Sequence, residues 1–161
     1  GYFPYTPPTQ MFHGLRAALD RIMAEGLDQV IARHHRLAEG ARRGIAAWGL
    51  DLVAEHPSRY SDTVSAIRVP GHVDARDVIR IAYERYNASL GTGLARLAGK
   101  VFRIGHLGDL NEGMVLTALA VSELSLAEAG ARVEFGSGVG AAQAYFAQSA
   151  GAGAMPQRAF G

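Results

Sequence analysis

The sequence predicts a mixed α/β (α+β) domain, in which a small mixed sheet is covered by helices and preceded by two long helices. Apolar residues recur every three or four positions through residues 9–48, which is the spacing of a helix face. After residue 49, short β-branched runs bounded by proline and glycine alternate with further helical patterns, in the order β-β-α-β-β-α. Hydrophobic residues make up 48% of the 161 residues and charged residues 19%, which is typical of a domain with a sizeable core.

The two leading helices follow an opening loop. Residues 1–10, GYFPYTPPTQ, hold three prolines and three aromatic rings, which indicates an extended, fixed loop. We expect Thr9 to cap a first helix that runs to about Glu25 and ends at Gly26. A second helix over 27–48 should bury one stripe and hold its arginines mostly off that stripe. The stripe is Val30, His34, Leu37, Ala41, Ile45 and Trp48, and the arginines are Arg33, Arg36, Arg42 and Arg43.

The remaining elements are shorter. Strands are predicted in LDLVAEH (50–56), TVSAIRVP (63–70) and KVFRIGH (100–106), with a strand edge and loop in the glycine-punctuated residues 88–99. Asp74 should cap a helix over about 75–86, and Asp109 or Asn111 a last long helix to about Ala129. Residues 131–161 form a tail rich in glycine and alanine, to which no element is assigned.

Composition excludes several classes of function. Sixteen basic residues against fifteen acidic ones give a net charge of +1, which supplies no electrostatic footprint for nucleic acid or an anionic membrane. The chain has no cysteine, so it forms neither a disulfide nor a thiolate site. No apolar run reaches the roughly 18 residues that a spanning helix needs. We expect small-molecule partners, a cytoplasmic location and, because the chain opens without methionine, a piece of a longer protein.

Arg103 raises the main question of function, because it lies inside the apolar run Val101 to Ile104. Strand alternation predicts that its side chain points to solvent while its neighbours face the core. The alternative is an anchor for a carboxylate, because a glycine-punctuated turn follows and an arginine fork binds carboxylates in bidentate fashion. The residues alone leave both interpretations open.

Other candidates are weaker. Thr6 with Tyr2 and Tyr5 offers hydroxyls to a phosphate, but a packed aromatic loop explains these residues equally well. The stretch EFGSGVGAAQAYF (134–146) lacks the spacing of a dinucleotide-binding loop. His34 and His35 are adjacent on a helix and cannot share one metal ion. His106 has no nucleophile arranged with it.

Two stretches together resemble a known family. YTPPTQMFHGLRAALDRIMAEGLDQVIARHHRLAEGARRGIAAWGL and, later, SLGTGLARLAGKVFRIGHLGDLNE are similar to the C-terminal part of class V, fold-type I, pyridoxal-phosphate aminotransferases. Within this class the chain looks most like the serine:glyoxylate and alanine:glyoxylate group. The resemblance covers roughly residues 1–130 and is specific, because the loop, the helix pair, the glycine loop and the arginine strand occur in order.

The resemblance implies roles for three residues. Arg103 would bind the carboxylate of the amino acid or oxo acid, and Thr6 would reach the cofactor phosphate of a neighbouring subunit in a homodimer. Some members have a cofactor-binding tyrosine where this chain has Phe3, so Tyr5, with Tyr2 as the alternative, becomes the candidate replacement. The parent protein would move an amino group from serine, alanine or aspartate to glyoxylate with pyridoxal 5'-phosphate.

The resemblance also implies what the chain lacks. The lysine that holds the cofactor would lie upstream of residue 1, and Lys100 does not match its position, so we expect the segment alone to be inactive. A separate N-terminal segment would then accompany it. The implied division is 1–26 as interface loop and helix of the large domain, 27–130 as small domain with its connecting helix, and 131–161 as tail. The alternative is a non-catalytic α/β anion-binding or regulatory module that uses Arg103.

Overall fold

The computed structural model of the chain describes residues 2–149, and their architecture confirms the predicted mixed α/β class. Five helices and three strands lie in these residues, along with single 3-10 turns at Pro57–Arg59 and Ala95–Leu97. Their order is α1 (Thr9–Glu25), α2 (Leu27–Ala47), β1 (Val64–Arg68), α3 (Ala75–Tyr86), β2 (Gly91–Thr92), β3 (Val101–Gly105), α4 (Glu112–Glu128) and α5 (Ser137–Gln148).

The sheet has the order β1-β3-β2, and β3 is antiparallel to both neighbours. Strands β1 and β2 therefore run parallel to each other, as a β-α-β unit requires, but β3 lies between them. The pairings among the described strands are thus antiparallel, whereas a mixed sheet was expected, because the short β2–β3 connection folds β3 back into the gap. Arg103, on the central strand, lies opposite Ala66 on one side and Gly91 on the other.

One predicted strand is wrong. Residues 50–56 run beside β1 but form only an isolated bridge, between Leu52 and Ile67. Val53 N–H donates to Ala66 C=O and Arg68 N–H donates to Asp51 C=O, each at 2.9 Å. The pairing stops there, because the chain bends at Val53 and Ala54 and then enters the 3-10 turn at Pro57–Arg59.

Two of the expected helix caps form and one does not. The Asp74 side chain accepts a hydrogen bond from Arg76 N–H at 2.8 Å, and Asn111, rather than Asp109, accepts one from Met114 N–H at 3.1 Å. Thr9, predicted as the cap of α1, is instead its first residue. Pro8 occupies the cap position and has no side-chain acceptor, so the first turn of α1 has no side-chain cap.

Helix α2 lies at the centre of the core. Its apolar stripe is buried as predicted except at Val30, which is partly buried, and Leu37, Ala41 and Ile45 pack in one cluster with residues from the sheet and from the other helices. Gly40 permits the closest approach, because a Cβ there would lie 2.2 Å from the ring of Phe146. The partners of α2 in this cluster include Ile67, Phe102, Ile104, Val78, Leu119 and Phe146.

Two findings about the helices differ from the prediction. Arg33, Arg36 and Arg42 are buried although they are not part of the apolar stripe, because each has polar partners beside the helix. The described part of the predicted tail contains α5, which packs on α2 and α4 and contributes Ala142 and Phe146 to the core.

Helix α1 differs from the other four helices because none of its residues is buried. Its C-terminal end contacts the rest of the molecule through Glu25, which binds Arg33, and Arg21, which binds Asp109. The rest of the helix presents apolar side chains to solvent, among them Met11, Phe12, Leu15, Leu19 and Met23. Among the described residues, no helix is long and apolar enough to cross a membrane.

Candidate functional site

The candidate site centres on Arg103, on the sheet face opposite the core. Phe102 and Ile104 point into the helical core, so alternation turns Arg103 the other way. The side chain is nevertheless partly buried rather than fully in solvent. Its immediate cross-strand neighbours, Ala66 and Gly91, are small.

The Arg103 guanidinium has no protein partner within residues 2–149. Its Nε is buried and makes no hydrogen bond, and the terminal nitrogens Nη1 and Nη2 make none either, although both retain contact with solvent. A buried donor left without an acceptor costs about 1–3 kcal/mol, so this arrangement lowers the stability of the isolated chain. The two terminal nitrogens also lack an acceptor among these residues and are therefore available to a ligand.

The segment that follows Arg103 is held in place by α2. Gly108 has a φ of +114°. Its N–H donates to His34 Nε2 at 3.0 Å and its C=O accepts from Arg33 Nη1 at 2.9 Å. Because His34 Nε2 is the acceptor, His34 Nδ1 carries the proton and donates to Val30 C=O at 2.7 Å. Two adjacent residues of α2 thus bind both polar groups of one glycine in the β3–α4 loop.

Arg33 ties the same loop to α1. Its Nε and Nη2 donate to the two carboxylate oxygens of Glu25 at 2.6 and 2.8 Å, and Nη1 also donates to Leu110 C=O at 3.1 Å. The hydrogen bond from Arg33 lowers the pKa of Glu25, although burial acts in the opposite direction. The end of α1, the start of α2 and the β3–α4 loop therefore form one fixed unit next to the strand that carries Arg103.

His106 is a buried structural histidine. Its Nδ1 donates to Asp62 C=O at 3.1 Å, so its Nε2 accepts from the Ser65 hydroxyl at 3.0 Å. Burial is the main cause that lowers the pKa of His106, and the hydrogen bond to Asp62 opposes it only partly. Both ring nitrogens are occupied within the fold, which leaves none for a substrate.

The opening loop is the second candidate region. Tyr5 is 86% exposed, Thr6 is also exposed, and neither hydroxyl bonds to another described residue. Phe3 packs its ring on Phe12 with centroids 5.6 Å apart. The loop precedes α1, whose 17 residues span about 25 Å. It therefore lies at the opposite end of α1 from the β3–α4 loop, and the structure does not bring Thr6 or Tyr5 to Arg103.

A groove of about 480 Å³ lies between α1, α2 and the β3–α4 loop. Its walls are largely apolar, and its charged groups are paired as Glu25 with Arg33 and Arg21 with Asp109. Arg103 does not line it. The groove therefore offers no available cation to an anionic substrate and is separate from the candidate site.

Several features of the site were not predicted from the sequence. The contact between Gly91 and Arg103 and the binding of Gly108 by Arg33 and His34 all join residues that are distant in sequence. The one local signal was the clustering of glycines on both sides of β3. Within the described ranges there is no group of three or more His, Asp and Glu side chains that could hold a metal ion.

Comparison with known proteins identifies the family. No protein-family model matches the chain. A serine–glyoxylate aminotransferase of Hyphomicrobium methylovorum is 55% identical over 150 residues, which are 93% of this chain and 37% of the relative. An L-aspartate–glyoxylate aminotransferase of Paracoccus denitrificans is 51% identical over 150 residues, which are 93% of this chain and 38% of the relative. The chain thus spans little more than a third of the length of these relatives.

Solved structures agree with the sequence matches. The pyridoxamine–pyruvate aminotransferase of Mesorhizobium loti is similar with a TM-score of 0.88 at 33% identity, over 92% of this chain and 38% of that one. The ureidoglycine–glyoxylate aminotransferase of Bacillus subtilis gives a TM-score of 0.83 at 28% identity, over 89% of this chain and 37% of that one.

The fold and the matches define part of an aminotransferase of fold-type I. More narrowly, the chain belongs to the class V aminotransferases, in the group of the serine–glyoxylate and aspartate–glyoxylate enzymes, and corresponds to their C-terminal portion. This confirms the family that the sequence resembles.

Proposed function

We propose that the complete protein that carries this chain is a pyridoxal-phosphate-dependent aminotransferase that transfers an amino group from serine, alanine or aspartate to glyoxylate. In this proposal the chain supplies Arg103, which binds the carboxylate shared by the amino donors and the oxo acid. The high identity to serine–glyoxylate and aspartate–glyoxylate aminotransferases supports the substrate class. A non-catalytic anion-binding module is the less favoured alternative.

The unpartnered guanidinium of Arg103 is the observation that carries the proposal. It lies partly buried on the sheet face opposite the core, and neither of its terminal nitrogens bonds to a described residue. A bidentate carboxylate would supply two charge-assisted hydrogen bonds, each contributing about 1.5–3 kcal/mol. Every substrate in the proposed reaction carries such a carboxylate next to its reacting carbon. One arginine therefore serves the donor and the acceptor alike.

The residues present fit a peripheral contact to the cofactor. The free, exposed hydroxyl of Thr6, with that of Tyr5, suits a phosphate that belongs to a neighbouring subunit. Lys100 is exposed and directly precedes β3, and in this proposal the lysine that holds the cofactor belongs to another part of the complete protein. When bound, the cofactor acts as the electron sink for amino transfer.

We also propose that residues 1–26 belong to the large domain and contribute to a homodimer interface. The exposed apolar side chains of α1 support this, because a helix without buried residues needs a surface to cover it. Residues 27–130 would form the small domain, and α5, from the 131–161 segment, completes its core.

Replacing Arg103 in the complete protein tests the proposal. Arg103→Ala should lower kcat/KM for both glyoxylate and the amino donor at least about 100-fold, since each 1.4 kcal/mol corresponds to a factor of ten. Arg103→Lys should recover only part of the loss, because an ammonium lacks the planar fork. Cofactor binding, followed by its visible absorbance, should stay near that of the wild type.

Arg132→Ala is the matched control, because Arg132 is an exposed arginine in the segment between α4 and α5, outside the strands of the sheet. Its kinetics should equal those of the wild type. Unchanged kinetics in Arg103→Ala would remove the physical basis of the proposal. A complete protein that binds no cofactor at all would favour the anion-binding module.

A further inference from the structure

Gly91 lies directly against the Arg103 side chain. It is the cross-strand partner of Arg103 on β2. A Cβ placed on Gly91 would lie 3.1 Å from Arg103 Cβ, 3.1 Å from Nε and 3.5 Å from Cζ. The distances to Arg103 Cβ and Nε are shorter than an ordinary van der Waals contact. The absence of a side chain at Gly91 therefore allows the arginine to lie flat along the β2 backbone.

This contact determines which nitrogens of Arg103 can meet a ligand. Nε faces Gly91 and is buried without a partner, whereas the two terminal nitrogens reach solvent. A planar carboxylate can pair with a guanidinium through the two terminal nitrogens or through Nε and one of them. With Nε covered by the β2 backbone, only the end-on arrangement through Nη1 and Nη2 is open.

The neighbouring glycine has a different role. A Cβ on Gly93 would lie 2.2 Å from Leu97 C=O oxygen and 3.0 Å from Val101 C=O oxygen, so that position is closed by backbone. Backbone cannot move away as a side chain can, so a residue larger than glycine at Gly93 disturbs the fold. At Gly91 the three nearest atoms all belong to the side chain of Arg103.

We propose that Gly91 is a positioning residue for the substrate carboxylate, acting through Arg103. It holds the guanidinium flat and aims the two terminal nitrogens end-on at a monocarboxylate group of the amino or oxo acid. The inference rests on the proposed function of Arg103 and adds a second residue to it. A methyl group at position 91 pushes the guanidinium away from the sheet and misaligns the pair of hydrogen bonds.

The test is a double-mutant cycle in the complete protein, with Gly91→Ala and Arg103→Lys made singly and together. Gly91→Ala alone should raise KM for glyoxylate and for the amino donor about tenfold, because small misplacements of a binding group are costly. In the Arg103→Lys background, Gly91→Ala should change KM less than twofold, since an ammonium makes no planar two-nitrogen pair with the carboxylate that the methyl group could misalign.

Two glycine controls accompany the cycle. Gly71→Ala, in the exposed turn after β1 where a Cβ meets nothing within 4 Å, should match the wild type in kinetics and melting temperature. Gly93→Ala should lower the melting temperature. Gly91→Ala should resemble Gly71→Ala in melting temperature but not in KM.

The outcomes separate the two proposals. Normal kinetics in Arg103→Lys and Arg103→Ala would overturn the function proposed for Arg103. Impaired Arg103 variants together with an unchanged Gly91→Ala would overturn only the role of Gly91. The role of Gly91 also fails if Gly91→Ala does not fold or has a melting temperature as low as that of Gly93→Ala. It fails as well if Gly91→Ala raises KM equally in the wild-type and Arg103→Lys backgrounds. In each case the methyl group would act on the fold and not on the position of the guanidinium.

Discussion

The buried arginines of α2 have hydrogen-bond acceptors within the fold, whereas the arginine of β3 has none among the described residues. Arg33 is 7% exposed, and all three of its side-chain nitrogens donate hydrogen bonds, to Glu25 and to the carbonyls of Gly108 and Leu110. Arg36 is similarly enclosed and bonds to Glu112, Ser149 and Phe146 C=O. Arg103 is partly buried as well, yet no described residue binds it.

This difference separates a structural cation from one available to a ligand. A buried guanidinium is tolerated when every donor has an acceptor, and removing it then leaves those acceptors unpaired. An unpaired guanidinium already lowers stability, so its removal exposes nothing new. Mutations in the two regions should therefore have opposite effects on the free energy of unfolding and on substrate binding.

The largest expected effect on stability is that of Arg33→Ala. It removes four hydrogen bonds and leaves the partly buried Glu25 carboxylate alone, so the free energy of unfolding of the complete protein should fall by about 2–4 kcal/mol. Denaturant unfolding measures it. Arg33→Lys should lose less, because it keeps one charge beside Glu25. A loss below about 0.5 kcal/mol in Arg33→Ala would contradict the structural role.

Acid provides a second, smaller test of the same pair. Because the hydrogen bond from Arg33 lowers the folded-state pKa of Glu25, the pair stabilises the fold fully above the unfolded-state pKa of about 4.3. This stabilisation is lost as the pH falls through the lower folded-state pKa. Glu25→Gln should thus be less stable than the wild type at pH 7, and the difference should shrink as Glu25 takes up its proton.

Glu39, Asp62 and Glu112 also have lowered pKa values in the fold, so the wild type alone loses stability in acid for several reasons. The difference between the wild type and Glu25→Gln isolates the Arg33–Glu25 pair. A difference that stays constant from pH 7 to well below 4 would contradict the assignment.

Much of the fold follows from local signals in the sequence. Gly26, Gly49 and Gly130 end helices at the predicted positions, and Asp74 caps α3 as expected. The strand around Arg103 was also predictable, because its apolar neighbours alternate with the arginine. These features depend on residues within a few positions of each other, which a single sequence displays directly.

The rest depends on contacts between distant residues. The burial of Arg33 is set by carbonyls some 75 residues later, and α5 is fixed by Glu123, which accepts from Gly138 N–H at 2.7 Å. The need for a glycine at position 40 is evident only from its contact with the ring of Phe146 in the folded chain. The sequence predicted Arg103 as a candidate with two possible orientations. It did not predict the missing acceptor, which is a property of the folded neighbourhood.

The smallest expected effect on stability is that of Arg103→Met. Methionine keeps the apolar part of the side chain over Gly91 but removes the buried Nε that has no acceptor. Because no ion pair or hydrogen bond within residues 2–149 is lost, the free energy of unfolding should stay within about 0.5 kcal/mol of the wild type, or rise.

The same variant should lose substrate binding, which Arg33→Lys should largely keep. Denaturant unfolding alongside steady-state kinetics measures both quantities on each variant. A destabilisation of Arg103→Met as large as that of Arg33→Ala would mean that Arg103 has a structural partner in the complete protein, and the contrast between the two regions would no longer hold.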